Sequence, residues 1–555
     1  MRATRPVRAR LAVAAATVAA TALLPALAAG EVPPGRQISI DPIVAGPGQH
    51  ETAVESDSIA SGNTVVGVFQ LGRWPTGGAS GIGWATSSDG GVTWTSGVLP
   101  GLTEQSPSPG PFSRASDPAV AYDRVHGVFL ANVLSLRGAS ATDPVTSLVV
   151  SRSTDGLTWG APIVVSPDEG RFAHDKNWIV CDNGTASPQA GRCYVAWTGE
   201  GPALTLATSS DGGLTWSRGA VFAGIRGSGW QPLVRPDGTL VIVYETDSGV
   251  AAVRSTDGGT SFSAPVAVSS LRASLVPGVR APALPSAEID ASGAIFVAWH
   301  DCRFRPGCPR GGAPNDLVFT SSADGRVWSR TRRVATAPEL DGLTHFVPGL
   351  AVDASTRGAT TRLALAFSVL TPRGCTAQNC LVQQYFVSSS SGGRMWSAPE
   401  ALASPQPLAA YPPTSGGRFL GDYISTSFVP GGVAVPVFGA ATAPFDGRFH
   451  QGVFATAIAQ LTERAPLLIA GTARVTQTRT RVSVTVRVTG SAASVTCRAS
   501  STRVRLRLAS RRVNGGRAVC TWAVRAAARG ARISGSITLT IPETEVTRRF
   551  VFRVR

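Results

Sequence analysis

Short runs rich in β-branched residues recur along the whole chain, and turn-forming residues separate them. Residues 147–151 read Ser-Leu-Val-Val-Ser, and residues 161–165, after an intervening turn, read Ala-Pro-Ile-Val-Val. Runs of this length bounded by Gly, Asp and Ser are typical of strands. The chain is therefore predicted to be all-β and assembled from strand–turn–strand pieces.

One turn motif appears six times, and its closing aromatic residues are spaced 46 to 68 residues apart. In the motif, Asp and Ser can bond to backbone N–H groups, while Gly supplies the positive φ of a tight turn. A unit repeated at about this period is typical of a propeller. Five copies carry the acid, at Asp89, Asp155, Asp211, Asp257 and Asp324, and the sixth has Ser391 there.

These copies are similar to the Asp box (BNR repeat), S-x-D-x-G-x-T-W, of the sialidase (neuraminidase) superfamily. The resemblance spans roughly residues 38–460 and implies a sialidase-like Asp-box β-propeller. It further implies that the Asp boxes are structural turns between the two outer strands of a blade, facing away from the ligand site. Seven inner-strand starts favour seven blades, while six, the family norm, remains the alternative; residues 37–44 are predicted to complete the last blade. The starts lie near Glu51, Asp117, Asp175, Gln231, Ser286, His345 and Asp422.

The face opposite the Asp boxes is predicted to carry the site, because polar and aromatic residues cluster next to the inner strands. Acidic, basic and aromatic side chains together suit a sugar-like ligand. Lys176 is the only lysine of the chain. The predicted substrate-binding residues are Lys176, Trp178, His300, Arg303, Arg418 and Asp422.

The resemblance also implies catalytic roles. Sialidases use a Tyr nucleophile, together with a Glu, an Asp acid and three Arg that bind the substrate carboxylate. Tyr423 is then the nucleophile, with Glu288 or Glu245 beside it, and Asp175 or Asp301 is the acid. Arg303, Arg418 and Arg73 are candidates for the carboxylate clamp, although the R-I-P motif of the family is missing. We expect no metal and no cofactor.

Two functional hypotheses follow. In the first, this is a secreted sialidase-like propeller that acts on or binds glycans, with exo-α-sialidase-type hydrolysis as its enzymatic form. In the alternative, the propeller is a non-catalytic glycan- or cell-envelope-binding protein. Whether the protein is an enzyme stays open at this point.

The charge of the chain is concentrated at its ends. The formal net charge is +16. Residues 465–555 hold 18 Arg against Glu543 and Glu545, whereas residues 31–464 sum to −4. Alternating runs such as 503–508 predict a small, Arg-rich, Ig-like β-sandwich over 465–555. Such a module should attract an anionic envelope polymer; nucleic acid is not expected, because aromatic residues are not interleaved with the Arg.

The first 28 residues read as a Sec-type signal peptide. Four Arg precede an apolar run that ends in Ala26-Leu27-Ala28. We therefore predict a secreted or envelope-associated protein with the propeller over 29–464 and no transmembrane segment.

Eight cysteines agree with export, because an even number of cysteines in an exported chain favours disulfides. They fall into four sequence-local pairs, and each pair is predicted to form a disulfide. The pairs are Cys181 with Cys193, Cys302 with Cys308, Cys375 with Cys380, and Cys497 with Cys520.

Overall fold

The structure, a computed structural model, consists of strands joined by turns. No α-helix occurs among its described residues, and the two short 3-10 helices are Gly358–Thr360 and Leu408–Ala410. The predicted all-β Asp-box propeller is confirmed. The described residues are 34–44, 46–138, 145–167, 174–199, 201–309, 312–336, 339–464, 468–478, 480–489, 494–503, 505–514, 516–525, 530–541 and 544–554.

The first four antiparallel units of the propeller each contain four successive strands. Unit 1 comprises β2 (Gln49–Ser61), β3 (Thr64–Arg73), β4 (Ala79–Ser87) and β5 (Thr95–Val98). Unit 2 comprises β6 (Arg114–Asp123), β7 (Val128–Arg137), β8 (Val145–Ser153) and β9 (Ile163–Ser166). Unit 3 comprises β10 (Asp175–Cys181), β11 (Cys193–Thr198), β12 (Ala203–Ser209) and β13 (Ala220–Arg226). Unit 4 comprises β14 (Ser228–Val234), β15 (Leu240–Thr246), β16 (Gly249–Ser255) and β17 (Val266–Ser270).

Three further units follow. Unit 5 comprises β19 (Ser286–Ile289), β20 (Ile295–Asp301), β21 (Asp316–Ser322) and β22 (Arg332–Arg333). Unit 6 comprises β23 (Thr344–Val352), β24 (Leu363–Thr371), β25 (Leu381–Ser389) and β26 (Glu400–Ala401). Unit 7 comprises β30 (Ser425–Val429), β31 (Val433–Phe445), β32 (Arg448–Ala455) and the N-terminal β1 (Arg36–Gln37). The short connecting strands are β18 (Val279–Arg280), β27 (Gln406–Pro407), β28 (Pro413–Thr414) and β29 (Gly417–Phe419).

The two ends of the propeller meet in unit 7. Strand β1 pairs with β32, with Arg36 opposite Ala455 and Gln37 opposite Phe454. The fourth strand of unit 7 is thus Arg36–Gln37, which overlaps the predicted residues 37–44 only at Gln37. One apolar cluster contains Val65 of unit 1 and Val453 of unit 7. Six more clusters join each unit to the next, an arrangement that favours the seven-blade prediction.

Each Asp box lies at the turn between the third and fourth strands of its unit, as the resemblance implied. In the second box, Asp155 accepts hydrogen bonds from the backbone N–H groups of Thr158 and Leu157 at 2.7 and 2.8 Å. These bonds lower the pKa of Asp155 to about 2. The Trp159 indole N–H donates to the Gly156 carbonyl at 3.1 Å, so the closing aromatic is attached to its own turn.

The sixth box receives its carboxylate from a distant part of the chain. In the other boxes the first Ser donates to the box Asp, as Ser209 does to Asp211 at 2.8 Å. In the sixth, Ser389 donates instead to Glu463 at 3.2 Å, and the Ser390 backbone N–H donates to the same oxygen at 2.7 Å. Glu463 therefore replaces the box Asp as the acceptor for the first Ser, while Ser391 Oγ accepts the Met395 backbone N–H at 3.0 Å.

The Asp boxes share one face of the propeller with the turns between the first and second strands. The N–H of Gly90, in the first box, donates to the carbonyl of Asn63 in the β2–β3 turn at 2.9 Å. The N-terminal ends of the inner strands therefore lie on the opposite face, as the site prediction assumed.

All four predicted disulfides are confirmed, with S–S distances from 1.93 to 2.06 Å. Three lie in the propeller and the fourth joins the two C-terminal sheets, and such bonds suit an oxidising compartment. The bonded pairs are Cys181 with Cys193, Cys302 with Cys308, Cys375 with Cys380, and Cys497 with Cys520.

Within the described ranges, no helix is long and apolar enough to cross a membrane. The predicted signal peptide over residues 1–28 lies outside the described residues.

The basic C-terminal region forms two antiparallel sheets around a main apolar cluster, with a smaller one around Val482 and Val524. Trp522 and Phe550 lie in the main cluster, with ring centres 5.6 Å apart. The first sheet has the order β33-β34-β37-β36, so β36 is an edge strand, and the second has the order β35-β38-β39. The strands are β33 (Leu468–Gln477), β34 (Arg481–Thr489), β35 (Ser494–Ser500), β36 (Arg507–Asn514), β37 (Arg517–Ala523), β38 (Arg532–Ile541) and β39 (Thr544–Arg553).

The role of Glu463 can be tested by moving the carboxylate from residue 463 to residue 391. Glu463→Ala should lower the stability of the propeller by about 1–3 kcal/mol, because the buried Ser389 hydroxyl and the exposed Ser390 N–H both lose a charged acceptor. Ser391→Asp should recover much of that loss in the Glu463→Ala background but not in the native chain, where two carboxylates would repel each other. Calorimetric unfolding midpoints of the four proteins form a double-mutant cycle; independent effects of the two changes would contradict the replacement.

Candidate functional site

A bulge near the start of the inner strand directs side chains toward the centre of the propeller. In β2, β6 and β10 the register shifts around residues 55, 117 and 176. There Glu55, Asp117 and Lys176 have φ values of 53°, 45° and 50°. The bulges of β14 and β23 place Gly229 and Val347 in the same conformation. Bulges re-aim side chains next to functional sites, and here they place three charged groups in consecutive units.

An ion-paired cluster joins these positions to the end of the propeller. Lys176 Nζ lies 2.8 Å from Asp422 Oδ2 and 3.7 Å from Asp117 Oδ2. Arg280 reaches the same Asp422 oxygen at 2.7 Å. Burial alone would raise the pKa of Asp422, but Lys176 and Arg280 hold it below its ordinary value. Burial opposes the charge of Lys176, yet its acidic neighbours raise its pKa well above the ordinary range.

Glu55 lies buried behind this cluster. Its Oε1 accepts the Asp422 backbone N–H at 3.1 Å, and its Oε2 accepts the Gln70 amide. Gln70 also donates to Ser116 at 3.2 Å, and Ser116 donates to Asp117 at 2.9 Å. Burial raises the pKa of Glu55 to about 7, with Asp117 and Asp422 adding to the effect. The hydrogen bonds thus connect units 1 and 2 to the segment before β30.

Two guanidinium groups flank one aromatic ring beside the cluster. The guanidinium carbons of Arg73 and Arg280 lie 4.5 and 4.8 Å from the centre of the Phe419 ring. Arg73 is 3% exposed and donates to the Gly78 carbonyl at 2.7 Å. The guanidinium groups of Arg73 and Arg280 are therefore both fixed by contacts within the protein.

The central pocket opens at this cluster and continues between the inner strands. Trp178 and Tyr423 meet edge to face in its wall, with ring centres 5.1 Å apart. Two further carboxyl groups, Asp57 and Glu288, also line it. Burial raises the pKa of Asp57 to about 7 and that of Glu288 to about 8, and Asp57 adds to the shift of Glu288.

Six of the residues predicted for the site lie at or beside this pocket. Asp175 is exposed next to it, and its carboxylate accepts the Lys176 backbone N–H at 2.9 Å. The Tyr423 hydroxyl donates to the Pro118 carbonyl at 3.0 Å. Burial, followed by the charge of Glu55, raises the pKa of Tyr423 well above its ordinary value. The six are Asp175, Lys176, Trp178, Glu288, Asp422 and Tyr423.

His300, Asp301 and Arg303 belong to a separate group in unit 5, outside the pocket lining. Arg303 donates to both Asp301 oxygens at 2.9 and 2.7 Å and to Ser269 at 2.9 Å. His300 is fully buried, which lowers its pKa to about 4. This group holds the loop after β20, which the disulfide between Cys302 and Cys308 closes.

Glu245 and Arg418 are also apart from the pocket lining. Glu245 lies on β15, where burial raises its pKa and Asp247 adds to the shift. Arg418 donates to the Tyr411 carbonyl at 2.7 Å and lies 5.8 Å from the Phe449 ring centre. The structure therefore does not join Arg303 and Arg418 in one clamp.

Sequence reasoning did not select Glu55, Asp57, Asn177 or Arg280 for the site. Asn177 donates to Asn132 at 2.7 Å and to the Asp117 carbonyl at 2.9 Å. Arg280 comes from the short strand β18, which no repeat signal marks. For Glu55 and Asp57 a signal did exist, because both lie in a predicted inner strand, as do Asp117 and Asp175.

Comparison with known proteins gives only distant likenesses. No family model matches the chain, and no curated protein matches it. A Hadza microbial sialidase is 15% identical with a TM-score of 0.40, covering 57% of this chain, which spans 64% of that protein. An ulvan lyase is 11% identical with a TM-score of 0.44, and the match covers 75% of this chain and 96% of the lyase. The NanB sialidase of Streptococcus pneumoniae is 13% identical with a TM-score of 0.39, and the match covers 77% of this chain and 71% of NanB. The propeller fold is therefore defined by the strand pairing and the Asp boxes of this chain.

The raised carboxyl pKa values predict how stability depends on pH. Between about pH 4.5 and pH 8, folded Glu55, Asp57 and Glu288 bind protons that the unfolded chain has released. Stability should therefore fall as pH rises through this window, by up to about 1.4 kcal/mol per pH unit for each group.

Glu288→Gln should flatten that decline and raise the unfolding midpoint at pH 8 relative to the native chain. Calorimetric midpoints at half-unit steps from pH 5 to pH 8.5 measure the effect. Glu104→Gln, at an exposed carboxyl outside the pocket lining, is the matched control and should leave the slope unchanged. Parallel pH profiles for Glu288→Gln and the native chain would show that Glu288 titrates normally.

Proposed function

We propose that this protein is a glycan-binding propeller whose central pocket holds one sugar residue of its ligand. The observation that carries the proposal is the pocket itself, where the Trp178–Tyr423 wall stands beside the Lys176–Asp422 ion pair. Sugars need an apolar surface for their C–H faces and polar groups for their hydroxyls. The position of the pocket, on the face opposite the Asp boxes, agrees with the resemblance to sialidases.

Hydrolysis of a glycosidic bond is a second candidate, supported by two pocket carboxyl groups of opposite protonation. Glu288, with its pKa near 8, keeps its proton at neutral pH, whereas Asp422 is ionised. One protonated and one ionised carboxyl group are what glycoside hydrolysis requires.

The exo-α-sialidase form of that activity has less support in the geometry. A Tyr nucleophile needs a nearby base to take its proton, but the Tyr423 hydroxyl donates to a backbone carbonyl. Lys176 and Arg280 are both paired with Asp422, so neither is free to hold a substrate carboxylate. Glycan binding, with or without hydrolysis by carboxyl groups, is therefore preferred.

The C-terminal sheets support a second binding function, attachment to an anionic polymer. Edge strand β36 exposes Arg507, Arg511 and Arg512, and Arg503 and Arg505 are exposed just before it. A row of guanidinium groups on a free edge attracts polyanions through a field that salt screens.

Glycan binding can be tested together with hydrolysis. Trp178→Ala should weaken retention of the full chain on its best glycan-array ligand at least tenfold, because the aromatic wall is lost. If the pocket is also catalytic, Glu288→Gln should abolish release of fluorophore from the matching glycoside. Glu104→Gln, at the exposed carboxyl outside the pocket lining, should change neither readout. Unaltered retention of Trp178→Ala would refute the pocket as the binding site.

Polymer binding is tested on the whole chain with a column of an acidic polysaccharide. The triple variant Arg507→Gln, Arg511→Gln, Arg512→Gln should elute at clearly lower salt than the native chain. A control with the same charge change, Arg124→Gln, Arg226→Gln, Arg357→Gln, alters exposed propeller positions and should elute almost unchanged. Equal shifts would assign retention to net charge, and retention that survives 1 M salt would contradict an electrostatic cause, because the screening length is then about 3 Å.

A further inference from the structure

The charges that line the central pocket are mostly acidic. Four carboxyl groups line it, whereas Lys176 is the only Lys or Arg among the described lining residues. Glu55 adds a fifth acid directly behind them, and Arg73 and Arg280 stand beside the pocket on the Phe419 ring. The four lining carboxyl groups belong to Asp57, Asp117, Glu288 and Asp422.

The cations near the mouth are already bound by a carboxylate of the protein. Lys176 and Arg280 both reach the same oxygen of Asp422, at 2.8 and 2.7 Å. Asp422 thus occupies the position that a ligand carboxylate would need. An anionic sugar would have to displace Asp422 from Lys176 and Arg280 and would then lie beside that displaced carboxylate and Asp117, which like-charge repulsion opposes.

Two buried oxygen atoms at the pocket lack a hydrogen-bond donor among the described residues. They are the second carboxylate oxygen of Asp422, Oδ1, and the amide oxygen of Asn177, Oδ1. Both residues line the pocket, and each is 2% exposed. A buried acceptor without a donor costs about 1–3 kcal/mol, so a ligand whose N–H or O–H donor reaches either oxygen relieves that cost.

From these observations we infer that the sugar bound in the central pocket carries a protonated amino group and no carboxylate, as a glucosamine residue does. The inference rests on the proposed glycan binding and names the class of ligand. An ammonium group supplies three donors and a positive charge, which the unpaired acceptors and the excess of acids both favour.

Binding of such a cation should release protons from the pocket. The charged and titratable groups that line the pocket are Asp57, Glu288, Asp117, Asp422 and Lys176, with Glu55, Arg73, Asp175, Arg280 and Tyr423 around them. Glu288 and Asp57 hold protons near neutral pH, and a neighbouring positive charge lowers a carboxyl pKa. A carboxylate ligand would cause the opposite, proton uptake.

The test is isothermal titration calorimetry of the full mature chain with three oligosaccharides at pH 6.5. A glucosamine tetramer should bind about tenfold more tightly than its N-acetylated counterpart, and 3′-sialyllactose should bind most weakly. Repeating the glucosamine titration in two buffers of different ionisation enthalpy should show net proton release. Glu104→Gln is the control and should preserve this order and the proton release.

Two variants probe the pocket charges directly. Asp422→Asn frees Lys176 and Arg280, so it should raise the affinity for 3′-sialyllactose about tenfold while weakening glucosamine binding. Glu288→Gln removes an acid without touching that ion pair, and it should reduce the preference for glucosamine and the proton release.

The outcomes separate the two proposals. Equal affinity for the free and N-acetylated tetramers, or tightest binding of 3′-sialyllactose by the native chain, would overturn the inference while leaving glycan binding intact. If no sugar binds in the calorimeter or on the glycan array, the proposed function fails, and the inference fails with it.

Discussion

The inner-strand bulge is the constraint on which the site depends. A residue other than glycine at positive φ costs of order 1–3 kcal/mol and persists only where its surroundings hold it. Glu55, Asp117 and Lys176 all adopt that conformation at matching places in three consecutive units. Each is held by contacts to another unit, such as Lys176 to Asp422 of the segment before β30. The strained backbone and the charged cluster therefore stabilise each other.

The contacts within the charged cluster explain how the pocket can hold several carboxyl groups away from water. Charges that leave water need partners, and removing one member of a buried ion pair is far more costly than the pair is worth. Lys176 and Arg280 satisfy Asp422, while Glu55, Asp57 and Glu288 avoid part of the cost by keeping a proton near neutral pH. A charged ligand that binds in the pocket can therefore change the protonation of these three carboxyl groups.

Local patterns in the sequence predicted the fold better than the site. The turn motif, the paired cysteines and the inner-strand starts depend on residues close in sequence, and each led to the observed turn, disulfide or strand. The unusual single lysine pointed to Lys176, but its partner lies 246 residues away. No composition signal marks a bulge at Glu55, where the φ of 53° would ordinarily suggest glycine. Arg303 and Arg418 suited a clamp by residue type, yet Arg303 is bound by Asp301 and Ser269, and Arg418 by the Tyr411 carbonyl.

Glu463 and β1 also bear on how the chain reaches this fold as it is synthesised. The sixth Asp box is complete only when residue 463 is available, and unit 7 is complete only when β32 meets β1 from the opposite end of the propeller. A chain made from its N-terminus must therefore leave β1 unpaired until β32, near the end of the propeller, has emerged. Since exposed strand edges pair readily with other chains, ring closure is the step at which misassembly competes with folding.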